Sequence, residues 1–335
     1  MINNQWYGIL PSKAVKKGQI LGVKRLNLNL ALFRDERGRI ACVEDQCSHR
    51  GVALSAGKYK DGCVECPFHG LRFSPEGTCT RAPSLGKNTK MNLSRFNVKS
   101  YMVREELGII FLWYGDKVPT VPPHLMPEEV NENMAYSEIE DEWHAFYSRC
   151  IENQLDVLHL PFVHHNTIGR GNKTVVNGPK IIFDHASIQT SASNAVDQGQ
   201  EPLPASQCQI NPTYLRFRFP NLWVNHISDD MKVLIYFAPV DDEHTILYIR
   251  FYSTISNYAP VNQVISFFGK FGNRIIERQD KRVVVTQRPY ISAYSSNEKL
   301  FPGDRPVIEY RRIRHALKEQ LPLDEAFGSS PDTQK

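Results

Sequence analysis

Two short segments, Cys47-Ser-His49-Arg-Gly51 and Cys66-Pro-Phe-His69-Gly70, each carry one thiol and one imidazole, and sixteen residues separate His49 from Cys66. Two such turns suit the grip of one inorganic unit, so the chain between them has to fold back on itself. The glycines permit tight turns, and Pro67 stiffens the second. Two units fit a set of two thiolates and two imidazoles. One is a tetrahedral zinc ion. The other is a pair of sulfide-bridged irons, with cysteines on one iron and histidines on the other. Zinc spacing usually places Cys with Cys and His with His. Here each segment supplies one of each, which suits a unit whose two irons are both reached by each turn. The chain has seven cysteines. Cys42, Cys63, Cys79, Cys150 and Cys208 lack such spacing and are expected to be small buried hydrophobes, not a disulfide framework. A chain of 335 residues buries enough core to do without disulfides.

The surroundings of these segments read as β-rich. Up to about residue 118, short apolar runs are cut by turn signals at Asp35-Glu-Arg-Gly38, Lys60-Asp-Gly62 and Ser74-Pro-Glu-Gly77. Val98–Val103 alternates as a half-buried strand would, and Leu107–Trp113 reads as a buried one. Residues 118–127 then hold four prolines in ten positions. Such a stretch supports neither helix nor central strand, so the expected domains are 1–118 and 119–335.

The second domain opens with Glu152-Asn-Gln-Leu-Asp156-Val-Leu-His159-Leu-Pro-Phe-Val-His164-His165, which packs carboxylates and three imidazoles into an otherwise apolar segment. Charge there is costly unless something pairs with it, and a divalent metal would. Tyr147, Ile151, Leu155 and Leu158 form one helical stripe, with Glu152, Asp156 and His159 on another. His159 and His164 are five apart and do not share a helix face. Pro161 between them is expected to kink or end the helix and bring His164 round toward His159. Spacing alone does not separate His164 from His165. Strands are expected within 180–256, then a helix whose apolar stripe is Val264, Phe267, Phe268, Phe271 and Ile275. A charged helix over about 305–319 and a frayed tail, 328–335, close the chain.

The cysteine–histidine segments resemble the Rieske motif C-x-H … C-x-x-H, including Arg50-Gly51 after the first histidine. Leu71 and Phe68 stand where many members carry Trp and Tyr. Asn153-x-x-Asp156-x-x-His159-x-x-x-x-His164 is similar to the mononuclear-iron motif of Rieske non-heme iron oxygenases of the aromatic-ring-hydroxylating type, α subunit. In their order the two motifs cover nearly the whole chain. The resemblance implies an α+β fold: a β-rich Rieske domain, then a helix-grip (START/Bet v 1-like) catalytic domain with a curved antiparallel sheet. It implies a [2Fe–2S] cluster on Cys47, His49, Cys66 and His69, and a mononuclear Fe(II) on His159, His164 and a carboxylate from a downstream helix. Glu277 and Asp280 are the candidates. Asp280 is favoured because it continues the stripe through Ile276 and aligns with a D-x-x-x-x-x-x-Q pattern ending at Gln287. Asp156, with Asn153 in the same motif, takes a catalytic role by resemblance. The matching Asp links an iron-bound histidine to a cluster histidine of a neighbouring subunit, which implies a head-to-tail homotrimer.

An electron-accepting cluster feeding an oxygen-binding iron implies a terminal oxygenase that uses O2 on a small hydrophobic or aromatic substrate. Hydroxylation or oxidative demethylation is preferred to arene cis-dihydroxylation because the chain is short. A Rieske electron carrier fused to a hydrophobic-ligand domain is the non-enzyme alternative. No glycine fingerprint for NAD or flavin is present, so electrons are expected from an external ferredoxin or NAD(P)H-dependent reductase. Arg50, Lys58, Lys60, Arg72, Arg81 and Lys87 crowd the cluster segments and suit an acidic donor. Phe146, Phe162, Trp223, Val224 and Phe268 are candidate pocket linings, with polar groups from Asn221–His226. A net charge of +4 without a dense basic run argues against nucleic acid. The longest apolar run, Ile109–Tyr114, is too short to span a bilayer. With no signal-peptide pattern at the N-terminus, a cytoplasmic location is expected.

Overall fold

The computed structural model describes residues 1–118, 124–184 and 186–328. These fall into two compact units. One begins at Asn4 and the other lies beyond the 119–123 segment, with Met1–Asn3 joining the latter. The proline-rich boundary between 118 and 124 and the tail from 329 lie outside the described residues.

The first unit holds β1 (Gln5–Pro11), β2 (Ile20–Arg25), β3 (Leu28–Arg34), β4 (Ile40–Glu44), β5 (Lys58–Lys60), β6 (Cys63–Glu65), β7 (Arg72–Phe73), β8 (Cys79–Arg81), β9 (Val103–Glu106) and β10 (Ile109–Tyr114). They form three antiparallel sheets, ordered β1-β10-β9, β2-β3-β4 and β5-β6-β7-β8. Three hairpins close through two-residue turns with both φ angles positive: Leu26-Asn27, Asp61-Gly62 and Leu107-Gly108. That geometry matches the right-handed twist of the flanking strands. Gly38 and Gly77 close the other two expected turns by donating to Asp35 and Ser74 carbonyls, each at 2.9 Å. The expected strand over Val98–Val103 forms only from Val103. Its first half runs beside β4 with a single bridge, Val43 to Ser100, made by Tyr101 N–H to Cys42 and Glu44 N–H to Lys99, and goes no further because Val98 N–H donates to Gly77 instead. Ala31, Phe33, Val43, Val64, Leu71 and Phe73 form the core beneath the two cysteine loops.

The second unit holds β11 (Ala135–Trp143), α1 (Tyr147–Leu155), α2 (Leu160–Val163), β12 (Val175–Asp184), β13 (Ser187–Ala195), β14 (Tyr214–Arg218), β15 (Leu222–Ser228), β16 (Met231–Pro239), β17 (Thr245–Ser253), α3 (Ala259–Val284), α4 (Arg305–Lys318) and α5 (Leu323–Phe327). The strands make one antiparallel sheet ordered β11-β17-β16-β15-β14-β13-β12. Successive hairpins build β12 to β17, and β11 then pairs with β17 over nine residues. α3 lies across β11 and β17, and Ser266 Oγ donates to the Ala135 carbonyl at 3.1 Å. Gly269 permits the approach, since a Cβ there would sit 2.5 Å from the Phe251 ring. This is the expected α+β grip of one long helix on a large antiparallel sheet.

The apolar stripe that located α3 faces away from the sheet. Val264, Phe267, Phe268, Phe271 and Ile275 are all about half exposed or more. The helix instead turns Ser266, Glu277, Asp280 and Val284 inward. Of the five cysteines expected to be buried, Cys42, Cys79 and Cys150 are, whereas Cys63 and Cys208 are half-buried. Among the described residues, no helix is long and apolar enough to cross a membrane.

Candidate metal centres

Cys47 follows β4 closely, and Cys66 follows β6 directly. Each cysteine N–H donates to the carbonyl five residues on, Cys47 to Val52 and Cys66 to Leu71, both at 2.8 Å. Each cysteine carbonyl accepts from the glycine four residues on, Gly51 at 2.8 Å and Gly70 at 3.1 Å. These glycines have φ of +74° and +71°, where any side chain is strained. The loops are therefore near copies of one another.

Cys47 and Cys66 are buried. Burial, with the Cys66 thiol alongside, pushes the Cys47 thiol above its usual pKa. His49 and His69 are exposed, with ring centroids 4.6 Å apart. The four donors form an inner thiol pair and an outer imidazole pair. Among the described residues, the side chains grouped closely enough to hold one metal ion lie in the second unit and do not include these four. A single zinc ion would need them around one point. A two-iron unit with sulfur donors at one end and nitrogen donors at the other fits the pairs as they stand.

Phe68 is exposed and packs against His69 at 4.0 Å between centroids, with the Arg50 guanidinium 5.5 Å from its centre. Arg50, Lys58, Lys60, Arg81 and Lys87 are exposed around these loops. Arg72 is not available in the same way, because Glu65 at 2.6 Å and Asp61 at 2.9 Å hold its guanidinium.

In the second unit the helix expected to bend at Pro161 ends earlier, at Leu155. Asp156 is extended, with ψ 124°, and its Oδ1 accepts from Leu158 N–H at 2.6 Å. A short acid that caps its own downstream backbone competes with helix propagation. Pro161 sits in the first turn of the new helix α2, where its missing N–H and fixed φ cost nothing. Across this break the rings of His159 and His164 come to 5.1 Å between centroids.

Asp280 of α3 joins them. Its Oδ1 lies 3.0 Å from His164 Nε2 and 3.5 Å from His159 Nε2. The ligand atoms of these three residues all lie within 4.8 Å of one another. Asp280 Oδ1, though buried, has no hydrogen-bond partner. His164 Nδ1 faces Gln279 Oε1 at 2.8 Å, a contact that puts the proton on Nδ1 and leaves the Nε2 lone pair toward the carboxylate. A lone pair and a carboxylate oxygen at 3 Å attract only across a positive centre, either a proton on Nε2 or a metal ion held by both. Two imidazoles and one carboxylate are a facial donor set for a divalent transition metal. Burial alone would lower the His164 pKa, but Asp280, with Gln279, outweighs it and raises it.

Gln154 Nε2 donates to Asp280 Oδ2 at 3.3 Å, and Thr167 and Asn166 both bond Gln279. Asp156 Oδ2 stands 3.7 Å from His159 Nδ1, a nitrogen with no hydrogen-bond partner. Asn153 is buried on α1 outside this group, its Nδ2 unpartnered. His165 is exposed and its Nδ1 meets only the Phe162 carbonyl, at 3.1 Å.

Glu277 lies one turn before Asp280 but not with the histidines. Its Oε1 accepts from Trp143 Nε1 at 2.7 Å. Burial, then the neighbouring Asp141, raises its pKa to about 8, while Lys281 at 2.8 Å helps keep Asp141 ionised. Glu152 is likewise no part of the site, being clamped between Arg149 at 3.1 Å and Arg311 at 2.8 Å.

His159, His164 and Asp280 form part of the wall of a cavity of about 410 Å³, within the range for small-molecule sites. Leu247, Ile249, Val233, Ile235, Ile276 and Trp223 supply much of the rest. Of the other linings expected from sequence, Phe146 and Val224 are buried elsewhere and Phe162 and Phe268 face outward. Val224 fails because it points to the opposite face of β15 from Trp223. Sequence reasoning missed Gln154, Gln279 and Trp143. Gln154 and Gln279 sit beside singled-out positions, yet an uncharged amide gives no signal of its own.

Residues 5–102 match the family model for the Rieske [2Fe-2S] domain, and residues 143–320 match that for the vanillate O-demethylase oxygenase C-terminal domain. Similar curated proteins include chlorophyllide a oxygenase, chloroplastic, of Chlamydomonas reinhardtii, 34% identical over 96% of this chain and 49% of that protein. Protein TIC 55, chloroplastic, of Pisum sativum is 34% identical over 97% of this chain and 60% of its own length. The chain thus spans roughly half to three-fifths of these relatives. Among solved structures, dicamba monooxygenase bound to 3,6 dichlorosalicylic acid shares the fold with a TM-score of 0.76 at 19% identity, covering 96% of this chain and 98% of that one.

Proposed function

The chain belongs to the Rieske non-heme iron oxygenases, a family that carries a [2Fe–2S] cluster and a mononuclear iron, and from that membership we propose that it is a terminal oxygenase acting on a small, largely apolar molecule. The reaction class is hydroxylation or oxidative demethylation, in keeping with the demethylase match of its second unit. The observation that carries the reading is the convergence of His159, His164 and Asp280 on the wall of an apolar cavity.

In this reading Cys47, Cys66, His49 and His69 hold the cluster, and His159, His164 and Asp280 hold the iron. Iron held there by these two imidazoles and one carboxylate would supply reductive activation of O2. The chain's own part is positioning. Gln279 orients the His164 ring through Nδ1, and Gln154 occupies Asp280 Oδ2 so that Oδ1 faces the histidines. Asp156 stands ready to accept the His159 Nδ1 proton while its other oxygen is fixed by Leu158 N–H. Such partners raise ligand basicity and hold ring orientation. Apolar walls keep water from the reacting carbon.

Electrons come from an external ferredoxin or NAD(P)H-dependent reductase docking on the first unit. Asp156, with Asn153 in the same motif, takes the catalytic role, Asp156 linking the iron-bound His159 to a cluster histidine of the next subunit in a homotrimer. A cytoplasmic location completes the reading, although the two relatives named above are chloroplastic.

The test is Asp280→Ala. It should empty the mononuclear site, seen as loss of about one iron per chain, while the visible absorption of the cluster is retained. A variant that kept its full iron and its substrate-dependent O2 consumption would refute the assignment.

A further inference from the structure

The substrate cavity is apolar over most of its wall, but besides His159 Nδ1 and Asp280 Oδ1 at the metal donors its lining residues carry three side-chain atoms that the protein leaves without a partner: Trp223 Nε1, Asn225 Oδ1 and Asn273 Nδ2. Their neighbours are not in this position. Gln154, Ser191, Asn194, Thr213 and Tyr214 line the same space, and each bonds another protein group. Buried polar atoms are ordinarily satisfied, and leaving one unsatisfied is destabilising because its desolvation is not repaid. Three such atoms on the lining of one cavity mark where a bound ligand supplies the missing partners.

The three atoms come from two elements. Trp223 and Asn225 are two apart on β15 and so share a face. Trp223 stands opposite Ile235, and Asn225 opposite Val233. Asn273 is on α3 in the row Asn273, Ile276, Glu277, Asp280, which is one stripe of the helix. It precedes Asp280 by seven residues, or about 10 Å of helical rise. The unpaired amide of Asn273 is therefore two turns from the metal donors along α3.

Charge narrows the ligand further. Among the described residues, neither Lys nor Arg lines the cavity, whereas Asp156, Glu277 and Asp280 do. A carboxylate or sulfonate bound near Asn273 would meet neutral dipoles and no cation, and desolvating it there would be unfavourable. A neutral group that both accepts and donates, such as a carboxamide or hydroxyl, complements the N–H groups of Trp223 and Asn273 and the carbonyl oxygen of Asn225. It also does so if either asparagine amide is turned over.

We propose that the substrate is a neutral, apolar-bodied compound with a donor–acceptor group, and that Trp223, Asn225 and Asn273 bind that group while the reacting carbon lies toward His159, His164 and Asp280. This rests on the reading of the cavity as the substrate site. The test therefore measures binding without O2 or reductant, so that a failure of oxygenation and a failure of this selectivity are separate results.

Equilibrium dialysis of the metal-loaded full chain against 2-naphthamide, 2-naphthoate and naphthalene at pH 7 provides the measurement. The amide should bind at least tenfold more tightly than the carboxylate and at least fivefold more tightly than the hydrocarbon. Asn273→Leu should cut the amide-to-hydrocarbon ratio fivefold or more while naphthalene binding holds, which also reports an intact cavity. If that variant loses naphthalene, Asn225→Leu is read in the same way. Naphthoate binding as well as the amide, no binding of the amide, or an unchanged ratio in the variants would overturn the proposal.

Discussion

His164 is held at both ring nitrogens, with Gln279 on Nδ1 and Asp280 facing Nε2. Partners of metal-bound histidines typically contribute 10–100-fold to affinity. Gln279→Leu should therefore weaken iron binding by about that factor, read from iron retained against a graded chelator, with the cluster absorption unchanged. Glu277 gives a pH prediction with a definite sign. Its folded pKa of about 8 lies above the model-peptide carboxylate range. The folded chain therefore holds a proton that the unfolded chain has already lost. The stabilising contribution of that proton is complete below the ordinary Glu pKa and is lost as pH rises toward 8. Glu277→Gln keeps an acceptor for Trp143 and cannot ionise. Its melting temperature should exceed that of the parent by a few degrees at pH 8 and match it near pH 5, in paired thermal scans. At this scale the sequence was informative wherever a residue type is scarce in apolar surroundings, as with His159 and His164. Gln154, Gln279 and Asn273 were not visible, because a neutral amide takes its role from the register of its helix.

The elements show what periodicity does and does not contain. A 3.6-residue repeat located α3, but it did not say which side of α3 meets the sheet. The stripe that does is mixed, running through Ser266, Asn273, Glu277 and Asp280, because it carries one wall of a cavity instead of a dry core. Phe268 is 65% exposed, whereas Phe217 on β14 is fully buried. Phe268→Ser should change unfolding free energy by under about 0.5 kcal/mol. Phe217→Ala should cost about 3–5 kcal/mol, both read from urea midpoints. The α1–α2 break was misplaced from sequence for a similar reason. Pro161 is the strongest helix breaker in the segment, yet a proline opening a helix breaks nothing, and the side chain of Asp156 stops α1 five residues earlier.

For the whole molecule, two units were legible from two metal patterns and one proline-rich stretch, while composition was ordinary and excluded little. Their cooperation is tested by Asp156→Asn. The mononuclear iron and the cluster should both stay bound, and substrate-coupled O2 consumption should fall by at least tenfold, measured with an external reductant. Loss of metal instead would make Asp156 a structural residue of the α1–α2 break.

The sheet order bears on how such a chain matures. β11 delivers α1 and the two histidines, but its partner in the sheet is β17, more than a hundred residues downstream, and Asp280 follows later still. Local hairpins from β12 to β17 can form early, whereas this closure spans the longest loop in the unit and is slow for that reason. His159, His164 and Asp280 are strangers until then. Capture of iron by the newly made chain should thus mark the end of folding, and cannot serve as the nucleus that starts it.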